Sequence, residues 1–294
     1  MKLFKYISLC ILLLFGGAGY SQNLVSNGTS IIKVGDNALS WDYDISAKIY
    51  FDSAGITDIV EKAAANRLIV SLKNTGNWDK IVGLYLMSPT SLSATAVNAK
   101  TPGTFDIVWV NTPTHTTNGV DFDGVTQYGK TGIIPSSEIE IDDVSIHYYS
   151  GDDVQEAVGI VIGSRNGNSQ ILILNARTDA DNLRVDLFAN ASNVEGGNLD
   201  SKGFHSGVRA SSSDLRAFKD GVQIGSAQGS PGGSLPTVEI YIGCRNNNDT
   251  PQQFTTRQCR FAMIAKGFSV AEMTILNTFV QTYQQNVIIG GRDI

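Results

Sequence analysis

The feature that most constrains this chain is a succession of short β-prone runs, separated by clusters of Gly, Asn and Asp, that begins at Phe105. Two of these clusters, Arg165–Asn168 and Lys219–Gly221, have the composition of tight hairpin turns. Many short strands joined by such turns form an antiparallel sandwich or barrel. The pattern predicts strands near residues 105–110, 119–122, 127–133, 138–149, 156–164, 170–176, 183–189, 204–210, 214–219, 238–244 and 257–265.

Two amphipathic segments frame this β-rich region. In the first, apolar residues recur at every fourth position, which predicts a helix over about 57–74. The second begins with Ser269-Val-Ala-Glu272, the pattern of a helix capping box, and continues with apolar residues on one face. We expect an all-β fold, an antiparallel sandwich, with an N-terminal and a C-terminal helix packed outside it.

The first 21 residues have the pattern of a secretory signal peptide. Two lysines precede an apolar run over 7–15, and the small residues Gly19 and Ser21 suit cleavage before Gln22. The run is shorter than the roughly 20 apolar residues that span a bilayer. We expect bacterial-type export to the periplasm or the outside of the cell, with no membrane span after cleavage. The alternative is that the run is retained as a membrane anchor.

The sequence is divided into three predicted parts. The signal peptide covers 1–21, a lead-in segment with the first helix covers 22–100, and the sandwich with its C-terminal helix covers 101–294. The boundary near residue 100 rests on the turn-forming sequence Thr101-Pro-Gly103.

The charge of the chain argues against one class of partner. It carries 28 acidic and 22 basic residues, a net charge of −6, and these charges are scattered along the sequence. Binding to nucleic acid requires a basic surface that neutralises phosphates, so no nucleic-acid partner is expected.

Two cysteines, Cys244 and Cys259, lie beyond the predicted cleavage site. The first ends one β-prone run and the second opens the next. If residues 245–258 form the loop of a hairpin, the two cysteines face each other, and an oxidising compartment would favour a disulfide between them. Two free thiols are the alternative.

Several motifs of the β-rich region resemble those of concanavalin A-like and laminin-G-like domains. These are a Gly-x-x-Phe-Asp-Gly turn, a strand that runs into Asp-Gly and returns, a strand ending in Ile-Gly, and a closing strand followed by a Ser-x-x-Glu helix, at residues 119–124, 215–224, 238–243 and 259–272. The resemblance implies a jelly-roll sandwich. Proteins with this fold include lectins, glycanases, adhesion domains and structural parts, so the fold does not decide the function.

The lead-in segment, together with the last helix, resembles a narrower group, the bacteriophage tail and virion proteins that carry this jelly roll. The likeness rests on Ala54–Asp58, on Trp78-Asp-Lys80 and on the Gln-x-Tyr sequence of the last helix, Gln281 and Tyr283. It implies a structural or assembly part as an alternative function. Virion proteins lack signal peptides, and in this respect the chain departs from the group.

An acidic run offers a candidate catalytic site. On a strand, alternate residues share a face, so Glu138, Glu140 and Asp142 would project together. Laminarinase- and lichenase-like glycanases of this fold use Glu-x-Asp-x-(x)-Glu, with one carboxylate as nucleophile and another as acid/base. Here the middle and last residues differ from that pattern. The alternative is a solvent-facing strand without catalytic function.

A bulge at Asp142-Asp143 would place His147 and Tyr149 on the same predicted face, whereas Tyr148 would point inward. A tyrosine ring can stack on a sugar and an imidazole can hydrogen-bond a hydroxyl group. These two residues are the predicted ligand-binding residues, and an ordinary solvated sheet face is the alternative.

Oxygen-rich loops offer a candidate calcium site. Carboxylates in such loops bind calcium in many proteins, although solvated loop acids are the alternative. No other cofactor is expected. The candidate ligands are Asp152, Asp153, Asp179 and Asp181.

We therefore predict a secreted, non-catalytic carbohydrate-binding or adhesion module whose partner is a glycan or a cell-surface polysaccharide. The first alternative is a structural or assembly protein without a small ligand. The second alternative is a glycoside hydrolase that uses the three carboxylates. The sequence does not determine the oligomeric state.

Overall fold

The computed structural model describes residues 23–25, 31–35, 38–188, 193–228 and 233–294. The predicted signal peptide lies outside them. The chain divides into two compact units, Met1–Asp42 and Tyr43–Ile294. The first unit contains an antiparallel sheet of three strands, β1 (Asn23–Val25), β2 (Ile31–Gly35) and β3 (Ala38–Trp41).

The second unit is a sandwich of two sheets, which we name the inner and the outer sheet. Every strand pair of the inner sheet is antiparallel within the described residues. Its strands follow the order β16 (Val222–Gln228), β15 (Asp214–Lys219), β14 (Gly203–Ser211), β9 (Val144–Ser150), β20 (Cys259–Ala265), β7 (Gly119–Asp121) and β6 (Thr114–Thr116), with β4 (Ile81–Tyr85) also paired to β20.

The outer sheet is antiparallel except where β10 and β18 run side by side in the same direction. Its strands follow the order β13 (Val194–Gly197), β12 (Asn182–Leu187), β11 (Ile171–Asn175), β10 (Ile162–Arg165), β17 (Tyr241–Ile242), β8 (Tyr128–Lys130) and β5 (Val108–Val110), with β18 (Arg245–Asn247) on β10 and β19 (Thr250–Gln252) on β18.

The core of the sandwich follows from alternation along the strands. Ile146 and Tyr148 of the inner sheet point toward the outer sheet, whose Leu172 and Leu174 point back, and all four are fully buried. Because side chains alternate between the two faces of a strand, the intervening residues face away from this core. Each sheet therefore has a second face that either packs on something else or meets solvent.

Helices cover the second face of the inner sheet. They bury apolar side chains against Phe204, Phe218 and Phe261 of that sheet. Ser269 and Glu272 form the predicted capping box at the start of the last helix. The helices of this layer are α1 (Ile45–Ala54), α2 (Ile59–Asn74) and α5 (Val270–Asn286); α3 (Leu92–Ala96), α4 (Pro135–Glu138) and a 3-10 helix (Asn77–Lys80) lie in the connections.

The predicted fold class is confirmed: two antiparallel sheets form the sandwich, with an N-terminal and a C-terminal helix outside it. The boundary near residue 100 does not coincide with a division of the structure. Strand β4, from before that boundary, pairs with β20 over residues Ile81–Tyr85, and helix α1 also belongs to the same unit. Among the described residues, no helix is long and apolar enough to cross a membrane.

Candidate functional site

The three predicted catalytic carboxylates do not share a strand face. Glu138 is the last residue of α4, and β9 begins only at Val144. Between them the backbone turns back on itself, with an isolated bridge between Glu140 and Asp143. The third acid, Asp142, accepts hydrogen bonds from the buried side chain of Arg209. The predicted strand over 138–149 is therefore present only from Val144 onward, and the expectation that the three carboxylates project together from one strand is wrong.

Asp142 has a structural partner. Its Oδ1 accepts from Nη2 of Arg209 at 2.6 Å and from Nε at 3.0 Å. The arginine side chain is almost completely buried, and its Nη1 donates to the carbonyl oxygen of Leu187 at 2.8 Å. This carboxylate therefore compensates a buried charge that joins the two sheets.

The predicted sugar-binding pair is buried beneath the helices. His147 is fully buried, with Ser206 Oγ 2.7 Å from Nδ1 and Ser145 Oγ 2.8 Å from Nε2, and burial lowers its pKa to about 3. The hydroxyl of Tyr149 donates to Gln281 of α5 at 3.2 Å. Both residues do share a face opposite Tyr148, as predicted. The prediction that this face meets a sugar is wrong, because the helical layer covers it.

The predicted calcium ligands surround an arginine instead. Arg177 donates to Oδ1 of Asp153 at 2.7 Å and pairs with Oδ1 of Asp181 at 2.8 Å. Asp152 accepts from the backbone nitrogen of Gln258 at 3.2 Å, and Asp179 is exposed. Within the described part of the chain, no three His, Cys, Asp or Glu side chains converge as metal ligands. Two of the four candidate ligands, Asp153 and Asp181, therefore share the guanidinium of Arg177.

The predicted disulfide between Cys244 and Cys259 is not formed. Cys244 and Cys259 are both free and fully buried. The segment between them is not the loop of a hairpin: Cys244 follows β17 of the outer sheet, whereas Cys259 opens β20 of the inner sheet. The two thiols lie in different apolar clusters, and burial raises the pKa of each.

A pocket that the sequence did not indicate lies on the face of the outer sheet that points away from the sandwich core. Register brings its walls together: Gly163 of β10 pairs with Ile173 of β11 and with Arg245 of β18, and Asn175 of β11 pairs with Arg184 of β12. The cavity measures about 110 Å³. We name it the arginine pocket, and its lining residues are Ala157, Val158, Ile160, Arg165, Ile171, Ile173, Asn175, Thr178, Arg184, Arg245 and Gln253.

The floor of the arginine pocket is aliphatic. Ile160 and Ile173 are buried there, Ile171 is half-buried, and Val158 is exposed at the rim. Gly163 has no side chain and so leaves space for the side chain of Arg245. A Cβ at this position would lie 2.8 Å from Ile160 Cγ2 and 3.2 Å from Arg245 Cγ. The absence of a side chain at this position therefore lets the stem of the arginine lie across β10.

The charges of the pocket are poorly compensated. Arg165 bonds only to uncharged groups, from Nε to the Gly167 carbonyl oxygen at 3.2 Å and from Nη2 to Asn168 at 2.6 Å. Arg245 donates to Gln252 Oε1 at 3.3 Å. Burial lowers the pKa of the Arg245 guanidinium, and the two other arginines of the pocket lower it further.

Two acids lie on the same face. Glu195 is 3.7 Å from Nε of Arg184, a loose ion pair between half-exposed side chains. Asp186 pairs with Ile173 in the sheet register and is buried, with an interaction of its own. The ion pair of Glu195 is made with Arg184, at the more exposed side of the pocket.

Polar atoms without partners point to this pocket. Among the described residues, Nε of Arg184, Nε of Arg245 and Oε1 of Gln253 are buried and have no hydrogen-bond partner. Gln253 also has a left-handed backbone, with φ of 56°, while its carbonyl oxygen accepts from Ile160 at 2.9 Å. Such strain and unmet hydrogen bonding are costly, and both concentrate at binding sites.

A buried ion pair fixes the rim. Arg257 donates from Nη1 to Glu156 Oε2 at 2.6 Å and from Nη2 to the Val154 carbonyl oxygen at 2.8 Å. These bonds hold the loop that carries Ala157 and Val158. The arginine side chain is fully buried, so its loss would leave a buried carboxylate with fewer partners and would release the loop.

Comparisons with known proteins agree with the sandwich. No protein-family model matches the chain, and no curated protein matches it in sequence. A Trypanosoma rangeli sialidase mutant that displays trans-sialidase activity matches with a TM-score of 0.51 at 13% identity, over 76% of this chain and 40% of that one. Botulinum neurotoxin type C matches with a TM-score of 0.51 at 11% identity, over 71% of this chain and 53% of that one. The chain thus spans about half or less of either protein, and the likeness is one of fold.

Proposed function

We propose that this protein is a non-catalytic carbohydrate-binding module of the concanavalin A-like lectin type, and that it binds a glycan or cell-surface polysaccharide in the arginine pocket. The observation that carries the proposal is that three residues lining one small pocket, Arg184, Arg245 and Gln253, each have a buried polar atom without a hydrogen-bond partner. Hydroxyl groups of a sugar would satisfy these atoms, and the C–H face of its ring would cover the isoleucines of the floor.

The proteins of similar fold support a glycan as the class of ligand. One is a sialidase, and the cell entry of the other depends on interaction with two ganglioside molecules. These descriptions belong to those proteins. They are compatible with a pocket that offers hydrogen bonds around an aliphatic floor.

We propose that the protein is exported and acts in the periplasm or outside the cell. The support is the signal-peptide pattern of the first 21 residues. Sequencing the N-terminus of the exported protein should give Gln22 as the first residue. Neither calcium nor hydrolysis is part of this proposal, since Arg177 separates two of the acidic loop residues and the candidate catalytic carboxylates lie apart.

The test is a glycan array followed by calorimetry with the glycans that are retained. Val158, 56% exposed at the pocket rim, is replaced by Trp to block the pocket. Val222, 64% exposed on β16 of the other sheet, is replaced by Trp as the matched control. We expect Val158→Trp to abolish binding and Val222→Trp to leave it unchanged. An array on which no glycan is retained, or binding that survives Val158→Trp, would contradict the proposal.

Two further measurements separate the alternatives. Release of reducing ends from β-glucans, agars or alginates would favour a glycoside hydrolase over a binding module. A large, defined oligomer in light scattering, together with an empty glycan array, would favour a structural part of the phage-tail type.

A further inference from the structure

The charge in the arginine pocket differs from that of the protein as a whole. The chain has a net charge of −6, yet three arginines line a pocket of about 110 Å³. Two of them, Arg165 and Arg245, have only uncharged hydrogen-bond partners among the described residues. Like charges in a partly desolvated site repel each other and lose hydration, so this arrangement is unfavourable until an anion enters.

Arg245 carries most of this argument. It is 91% buried, its Nε has no partner, and burial and the neighbouring arginines lower its pKa. A buried arginine that stabilises the fold is expected to pair with a carboxylate, as Arg257 pairs with Glu156. Arg245 instead lines the arginine pocket together with Ile173 and Arg184, and its buried Nε has no hydrogen-bond partner.

The remaining surface of the pocket limits the kind of anion. The aliphatic floor requires a ligand with apolar C–H surface, and the volume admits a few atoms beyond the anionic group, since a water molecule takes about 30 Å³. A guanidinium binds a planar carboxylate through two parallel hydrogen bonds. A polyphosphate has no apolar surface, and the negative charge of the protein opposes binding to nucleic acid.

We propose that the arginine pocket selects saccharides that carry a carboxylate, namely a uronic or a sialic acid residue, with Arg245 as the principal anion-binding residue and Arg165 and Arg184 beside it. This inference rests on the proposed function and narrows its ligand class. The carboxylate would lie against the guanidinium groups, the ring carbon that bears it would contact Ile171 and Ile173, and the rest of the saccharide would lie outside the pocket.

Calorimetry with matched pairs of probes tests the charge requirement. Sialyllactose is compared with its methyl ester, and trigalacturonate with its methyl ester, so that the members of each pair differ only in the charge of the carboxyl group. We expect the charged member of at least one pair to bind at least about 10-fold more tightly, as a charged hydrogen-bonded pair requires. The pair that shows this difference identifies the source of the carboxylate. Raising NaCl from 50 to 500 mM should weaken that binding.

Two single variants, Arg245→Gln and Arg165→Gln, test the pocket arginines, and Arg67→Gln is the control. Arg67 is exposed on α2, in the layer that covers the inner sheet. We expect Arg245→Gln to lose at least about 10-fold in affinity for the charged probe with no fall in Tm, because no carboxylate is left unpaired. Arg165→Gln should show a smaller loss, and it serves as the decisive variant if Arg245→Gln does not fold.

The outcomes distinguish this inference from the proposed function. If neutral and charged probes bind equally well, or if both pocket variants bind like the Arg67→Gln control, the carboxylate inference is overturned while glycan binding stands. If the array retains no glycan of either kind, the proposed function itself fails. A preference for sulfated or phosphorylated sugars over both carboxylated probes would also overturn the inference.

Discussion

Acid should destabilise this protein through His147, whose imidazole lies between the inner sheet and the helices. Both ring nitrogens already have hydroxyl partners, Ser206 and Ser145, and the ring stacks on Phe204 with centroids 5.8 Å apart. Burial lowers the pKa of the imidazole to about 3 in the folded protein. In the unfolded chain the pKa returns to about 6.5.

The sign and size of the effect follow from this difference. Between pH 6.5 and 3 the unfolded chain binds a proton at His147 that the folded protein does not bind, so the free energy of unfolding falls as the pH falls. The slope from one such group approaches about 1.4 kcal/mol per pH unit, and acidification from pH 6.5 to 5 should cost about 1.6 kcal/mol. His205, whose pKa burial also lowers to about 3, should add a contribution of the same sign.

The assay is urea unfolding, followed by tryptophan fluorescence, at pH 7, 6 and 5. We compare wild type with His147→Gln and with His115→Gln, whose imidazole is half-buried and donates from Nε2 to the Ser88 carbonyl oxygen at 3.0 Å. The His147 variant starts from a lower stability, so the informative quantity is the slope of the unfolding free energy against pH. That slope should become shallower by about 1 kcal/mol per pH unit in His147→Gln alone.

Some buried carboxyl groups have the opposite effect on stability, but their contribution cancels when wild type is compared with a variant. Burial raises the pKa of Glu61, Asp152 and Asp220, so these carboxyls take up protons more readily in the folded protein and favour it as the pH falls. They are unchanged in the variants. Equal slopes for wild type and His147→Gln would refute the reasoning, since the imidazole would then not be held neutral by its surroundings.

Two further predictions concern the packing of the sandwich. Unfolding without reductant should expose two thiols, from Cys244 and Cys259, to a thiol reagent, and recovery of fewer than two would show that they are bridged. Gly207→Ala should lower stability by about 1–3 kcal/mol, because a Cβ there would lie 2.3 Å from Val185 Cγ1. Gly197→Ala, with nothing within 4 Å of its Cβ, should change the Tm little. Equal Tm values for the Gly207→Ala and Gly197→Ala variants would contradict this prediction, because they would mean that the sheets can move apart.

The features that could be predicted from the sequence depend on residues close together in the chain. The capping box of Ser269 and Glu272 needs only one turn of helix. The hairpin between β15 and β16 needs two residues with positive φ, and Asp220 and Gly221 have φ of 48° and 76°. Alternation along β9 correctly separated Tyr148 from its neighbours. In each case the backbone geometry is decided locally.

The features that were missed depend on long-range pairing. Whether the face of Tyr149 meets water or a helix is decided by α5, more than 100 residues later in the chain. The arginine pocket requires β18 to pair in parallel with β10, and nothing near Arg245 in the sequence indicates Arg165 as its neighbour. The disulfide prediction failed for the same reason, because two successive β-prone runs belong to different sheets.

The position of β20 has a consequence for biogenesis. This strand, Cys259–Ala265, pairs with β9, β7 and β4, so the middle of the inner sheet comes from near the end of the chain. Its partner β4 ends at Tyr85, which makes these contacts among the most distant in sequence and slow to form. Until β20 leaves the ribosome, β4 has no strand with which to pair. The inner sheet can therefore be completed only when synthesis of the chain has almost ended.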